Sequence, residues 1–140
     1  MRTWSASLNI RPEPVQSARF GGGRSFTDPR KRAYISQLKG MILDRIPQDW
    51  EKIKGAVQLD VMFVFPFRKK DLKRKCNKLW MIETPDRGNL LKPLEDAIKN
   101  HVIEDDSAIC FGLVSKQRWR DVEDGKILIQ VTALEEEIIE

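Results

Sequence analysis

Histidine is nearly absent from this chain of 140 residues: His101 stands alone. A Ser-His-Asp or Cys-His mechanism would have to be built on it. It falls at the end of a stretch with helical spacing, where capping the last turn is the simpler role. Cysteine is almost as scarce. Cys76 lies in a basic segment and Cys110 in an apolar one, so two free thiols are expected, and no Cys/His set reaches the four ligands of structural zinc. No apolar run approaches the roughly 20 residues of a membrane span. Residues 1–10 alternate polar and apolar side chains, so no secretion signal is expected and the cytoplasm is the default location. A Walker loop and a dinucleotide fingerprint are missing too. Gly21-Gly22-Gly23 has neither a lysine-serine ending nor a clear strand-to-helix setting.

What is present is charge, unevenly spread. Hydrophobic residues make up 41% and charged residues 33%, enough apolar material for one buried core under a charge-rich surface. The net charge of +4 conceals a split: residues 1–78 hold 18 basic and 7 acidic groups, and residues 79–140 hold 7 basic and 14 acidic. A basic half beside an acidic half suits a polyanion-binding surface next to a cation-binding site; a solvated charged surface is the plainer alternative.

Period-two alternation predicts a strand over residues 3–10, with Trp4, Ala6, Leu8 and Ile10 on one face. Arg11-Pro12-Glu13-Pro14 ends it, because neither proline can donate a ladder hydrogen bond. Residues 15–26 form a loop around the glycine triplet, flanked by Arg19 and Arg24. It is either a close approach to a ligand or a plain hairpin tip. Asp28-Pro29 begins a helix reaching about residue 45, with Tyr34, Ile35, Leu38, Met41, Ile42 and Ile46 on its stripe. Residues 56–67 are apolar on both faces, which predicts a central strand.

A basic segment, 68–78, follows, and residues 79–83 suit a short strand. A second helix is expected over 89 to about 100, with Leu90, Leu94, Ala97 and Ile98 inward. Pro93 must then lie in its first turn or kink it. Strands over 107–117 and 126–134, joined by an acidic turn, read as a hairpin. The sum is a single α+β (α/β) domain over residues 1–134, a mixed sheet with two helices, and an acidic tail at 135–140 that frays.

With histidine and cysteine set aside, oxygen chemistry remains. Asp86 precedes the second helix and Glu104-Asp105-Asp106 follows it. Converging carboxylates hold Mg²⁺ or Mn²⁺, which activates water and stabilises a phosphodiester under attack. A solvated acidic turn is the alternative. Lys92, six residues after Asp86, is placed to contact a scissile phosphate, and the 68–78 stretch leads phosphates toward the acids.

These residues resemble a known family. Pro85-Asp86-Arg87-Gly88-Asn89-Leu90-Leu91-Lys92-Pro93-Leu94-Glu95-Asp96-Ala97-Ile98, then Val102-Ile103-Glu104-Asp105-Asp106-Ser107, is similar to the signature of RusA-type Holliday junction resolvases, roughly P-D-x-D-N-L-x-K-x-x-x-D-A-L, a short gap and D-D. The run Arg11-Pro12-Glu13-Pro14-Val15-Gln16-Ser17-Ala18-Arg19-Phe20 with Thr27-Asp28-Pro29 is similar to the family's opening. The strand ending in Phe65-Pro66 and its basic loop match as well. The resemblance implies a homodimeric, Mg²⁺-dependent endonuclease that cuts four-way DNA junctions in recombination and repair and is often carried by phages or prophages.

It further implies Asp86, Lys92 and Asp106 as catalytic residues, with Asp86, Asp105 and Asp106 at the metal. DNA contacts would come from Arg19, Arg24, Lys69, Lys70, Lys73, Arg74 and Lys75. One position departs: the second motif aspartate is Gly88. Either Glu83, Glu104 or Asp96 supplies the missing oxygen, or the enzyme runs weakly, or this copy binds junctions without cutting them.

Overall fold

Alternation in the middle of the chain organises the architecture. In the computed structural model the strand Val57–Pro66 buries Val57, Leu59, Val61, Phe63 and Phe65 on one face, and Val64 on the other. A strand apolar on both faces is stable with neighbours along both edges, and this one has them. The structure describes residues 2–15, 19–21, 24–26 and 28–136, with the backbone alone for those between 19 and 26. In chain order the elements are β1 (Thr3–Leu8), β2 (Arg19–Gly21), β3 (Arg24–Phe26), α1 (Pro29–Asp44), β4 (Val57–Pro66), β5 (Lys78–Trp80), α2 (Arg87–Ile98), β6 (Ile109–Phe111), β7 (Val114–Trp119) and β8 (Lys126–Ala133). Two 3-10 turns, Lys69–Lys73 and Asp106–Ala108, join them. This is the expected α+β domain, a mixed six-stranded sheet with two helices.

The sheet runs β1-β8-β4-β7-β5, with β6 pairing the start of β4; β2 and β3 form a separate antiparallel pair. Register places Leu59 opposite Val131, Val61 opposite Ile129 and Phe63 opposite Ile127. These side chains therefore share one face, and the helices cover it. Tyr34, Leu38 and Ile42 from α1 and Leu90, Leu94, Ala97 and Ile98 from α2 join them in the core. The α1 stripe is the expected one, and its cap is as the sequence specifies: the Asp28 carboxylate accepts the Arg30 amide at 2.7 Å, with proline next.

Three expectations are corrected. Residues 114–119 and 126–133 do not pair as a hairpin: β7 lies parallel to β4 on one edge, and β8 lies antiparallel on the other. The 120–125 connection crosses the carboxyl end of β4, because burying both edges of that strand outweighs the local preference for a hairpin. The stretch 107–117 is not one strand. It breaks between β6 and β7 at Gly112, whose backbone passes so close to β4 that a Cβ there would lie 1.8 Å from the Leu59 carbonyl oxygen. Third, α2 starts at Arg87, so Pro93 lies in its second turn, not its first. A proline there cannot bond to the carbonyl four residues back. That carbonyl, of Asn89, instead accepts the Val15 amide at 2.9 Å, and the defect becomes the point where the amino-terminal segment is tied to α2.

Two glycines should respond in opposite directions to the same substitution. Gly112→Ala forces a methyl into the Leu59 carbonyl and should cost at least about 1–3 kcal/mol. Gly40→Ala, in α1 with nothing within 4 Å of the added carbon, should stabilise by roughly 0.5–1 kcal/mol. Urea denaturation of both variants checks the pair, and equal shifts would contradict the close β4 approach.

Candidate active site

Strand β7 carries cations at alternate positions, Lys116 and Arg118, with Arg120 just beyond its end. By period two, Lys116 and Arg118 share a face. The Lys116 ammonium donates to the carbonyl oxygens of Glu83 at 2.7 Å and Pro85 at 2.8 Å. Arg118 donates to the Glu83 carboxylate at 2.8 Å and to the Pro66 carbonyl at 2.9 Å. Loop 81–86 is thus pinned from one strand. It delivers Asp86, exposed at the N-cap of α2, whose carboxylate accepts the Asn89 amide at 2.9 Å.

Gly88 follows in the first turn. A Cβ there would meet only the Asp86 Oδ1, at 3.7 Å, an ordinary contact that leaves the space beside Asp86 open. The neighbours named as substitutes do not fill it. Glu83 is committed to Arg118 and, at 3.2 Å, to Arg68. Burial pushes its carboxyl up, yet the Arg118 hydrogen bond and the two guanidinium charges leave it below the usual range. Glu104 and Asp96 are exposed.

The acids beyond α2 have partners of their own. Asp105 accepts the Ser107 hydroxyl and lies 3.6 Å from the Lys99 ammonium, and these hold its carboxyl below the ordinary value against some burial. The charge of Asp106 is felt by Glu95, a half-buried acid pushed up by burial first and then by Asp106 and Asp96, with Lys92 opposing. Glu95 lies nine residues past Asp86, roughly 13 Å along the helix axis at about 1.5 Å per residue. Lys92 and Glu95 follow one another along the helix, while Asp86 stands at its start. Among the described residues no three His, Cys, Asp or Glu side chains converge to hold a metal ion. Glu95 escaped notice in the sequence, although its spacing one turn beyond Lys92 placed the two together.

The basic segment is folded, not loose. Arg68 grips Asp71 through its backbone amide and a two-pronged guanidinium contact at 2.9 and 3.1 Å. Asp71 is 4% exposed, and that contact, with the amide, depresses its carboxyl to about 2. Arg120 donates to the carbonyls of Leu72, Arg74 and Cys76. With these carbonyls turned inward, Lys69, Lys70, Lys73, Arg74 and Lys75 are exposed. The backbone of Arg19 and Arg24 lies in the β2–β3 pair; their side chains fall outside the described residues. Lys116, Arg118 and Arg120 were not singled out in the sequence, though their period-two spacing was visible.

An exposed carboxylate at a pinned helix start and an ordered, outward-facing basic loop thus belong to one α+β domain. The family is established by comparison: the sequence profile described as Endodeoxyribonuclease RusA matches residues 9–132, and the chain belongs to that family. Its members are endodeoxyribonucleases that act on Holliday junctions. No curated protein matches the chain. No helix among the described residues is long and apolar enough to cross a membrane.

The Arg68–Asp71 pair sets a pH dependence. A depressed carboxyl stabilises the folded loop fully above the ordinary range, about pH 4, and that contribution disappears as pH falls toward 2. An NMR titration of the Asp71 carboxyl carbon should give a midpoint near 2. A midpoint at the ordinary carboxylate value would contradict the contact.

Proposed function

We propose that this protein is a divalent-metal-dependent, structure-selective endonuclease that resolves four-way DNA junctions by paired phosphodiester hydrolysis, with Mg²⁺ as the ion and Mn²⁺ as its substitute. One coincidence carries the reading: the endodeoxyribonuclease profile spans the domain, and within it the capped carboxylate Asp86 ends a loop whose Glu83 is bridged at 3.2 Å to Arg68, at the start of the ordered basic loop. Asp86 and Asp106, with Asp105 supporting, are the proposed metal carboxylates. Hard oxygen donors suit Mg²⁺, which keeps several waters and needs only one or two carboxylates when phosphate oxygens complete its shell. When bound, the ion supplies an activated water and offsets charge on the phosphodiester.

The chain's own residues do the rest. Lys92 presents an exposed ammonium to the phosphate. Lys69, Lys70, Lys73, Arg74 and Lys75, with Arg19 and Arg24, hold the arms through backbone phosphates, which carry no sequence information. Shape selection follows from a twofold pair of chains. The sheet face opposite the helices supports that assembly: Met62 and Leu128 lie on it, and Trp80 and Leu113 on its rim are 74% and 72% exposed. The setting is the cytoplasm, in recombination or repair.

A second reading has its own observation. Gly88 leaves open space where the motif carries a carboxylate, and the described acids do not converge in threes. A binder impaired in cleavage would have this appearance.

A labelled four-way junction tests both. Wild type should bind as a dimer, with two chains per junction by sedimentation, and nick weakly with Mg²⁺ or Mn²⁺. Gly88→Asp should cut roughly 10–100-fold faster, the range typical of a restored metal-site partner. Specific binding with no metal-dependent nick in either version would sink the nuclease reading in favour of the binder; equal cutting by both would show that Gly88 is no defect. Replacing Lys69, Lys70, Lys73, Arg74 and Lys75 together by alanine should weaken binding and flatten its salt dependence, by up to about 0.9 in slope per lost phosphate contact. Unchanged affinity would remove the loop from the interface.

A further inference from the structure

Loop 81–86 crosses the edge of the sheet with few regular partners. Arg118 and Arg68 hold the Glu83 side chain, but the backbone is gripped by one residue. Lys116 receives the Met81 amide on its own carbonyl at 3.1 Å, and its ammonium donates to the Glu83 and Pro85 carbonyls. Pro85 has no amide proton, so the backbone cannot secure itself there from its own donor. The residue after Pro85 is Asp86, and Lys116 and Asp86 line one cleft together with Arg87. Two of the three ammonium protons are thereby fixed on carbonyls. The side chain is half-buried and oriented by β7, whose parallel pairing with the central strand is rigid.

We infer that Lys116 is a positioning residue: it sets the place of the Asp86 carboxylate by clamping the two carbonyls ahead of it. The inference rests on the nuclease reading for its effect on cutting, and on geometry alone for its effect on the loop. Misplacing a reacting group by about 1 Å is enough to cost on the order of 100-fold in rate while leaving distant binding contacts intact. Lys116 acts through Asp86 and not on DNA. Its removal should therefore change the chemical step and leave junction affinity alone, unlike removal of the loop lysines.

The test uses the full chain with Lys116→Met, which keeps most of the apolar stem, and Lys116→Arg, which retains donors able to reach both carbonyls. In single-turnover cleavage of a four-way junction with Mn²⁺, Lys116→Met should slow cutting at least about tenfold, with the dissociation constant unchanged within about twofold. Lys116→Arg should recover most of the lost rate. Hydrogen exchange should quicken at the Asn89 and Leu90 amides in Lys116→Met and not in Lys116→Arg, measured against β4 amides as the reference for global stability. An unchanged rate, a loss carried by affinity, or an arginine variant as slow as the methionine one would overturn the inference. If wild type does not cut at all, the nuclease reading has failed and the exchange arm decides by itself: equal exchange in the three proteins overturns the clamp, and selective quickening in Lys116→Met supports it.

Discussion

The segment from Pro66 to Asp86 carries its carbonyls and carboxylates past the edge of the sheet with little regular pairing, and polar groups so placed must find donors. The carboxyl half of β7 and the residue beyond it supply them. Lys116 takes the backbone of the loop before Asp86, Arg118 takes Glu83 and Pro66, and Arg120 takes three carbonyls of the basic loop. Three cations at alternate positions thus fold both the basic loop and the loop that delivers Asp86. Because β7 is held by β4, these grips are referred to the centre of the sheet.

Helix α2 distributes what those grips position. Asp86 closes its first turn and spends one carboxylate oxygen on the Asn89 amide, leaving the other for a ligand. Lys92 lies one to two turns along, and Glu95 further still. Gly88 brings no second carboxylate to the Asp86 end of the helix. The helix also shows how a local defect becomes a tertiary bond, since Pro93 frees the Asn89 carbonyl for Val15.

Much of this was legible in the sequence. The both-sided apolar character of residues 57–65 specified the central strand. Asp28-Pro29 specified the start of α1, and the Leu90, Leu94, Ala97 and Ile98 stripe specified the buried side of α2. The failures share one cause. A hairpin between β7 and β8 is what adjacent alternating segments prefer locally, but β4 takes both as neighbours. Nothing near Gly112 announces the Leu59 carbonyl, which lies far away in sequence. Motif and composition singled out Asp86 and the loop lysines, and the structure leaves them exposed. Asp71 is the one acid in the basic run 68–78, and its role appears only when Arg68 folds back over it. Lys116 and Arg118 looked like ordinary strand charges because their partners are some 30 residues or more distant.

The central claim is that Asp86 is the carboxylate on which metal-dependent cutting of DNA turns. Anomalous diffraction at the manganese edge from crystals of the wild-type chain with a four-way junction tests it most directly. The account predicts a manganese peak bonded to an Asp86 carboxylate oxygen, about 2.0–2.2 Å away as for other small hard cations, with junction phosphate oxygen in the same shell. Manganese held by the 104–106 acids with Asp86 free, or junction bound with no ion near Asp86, would contradict it.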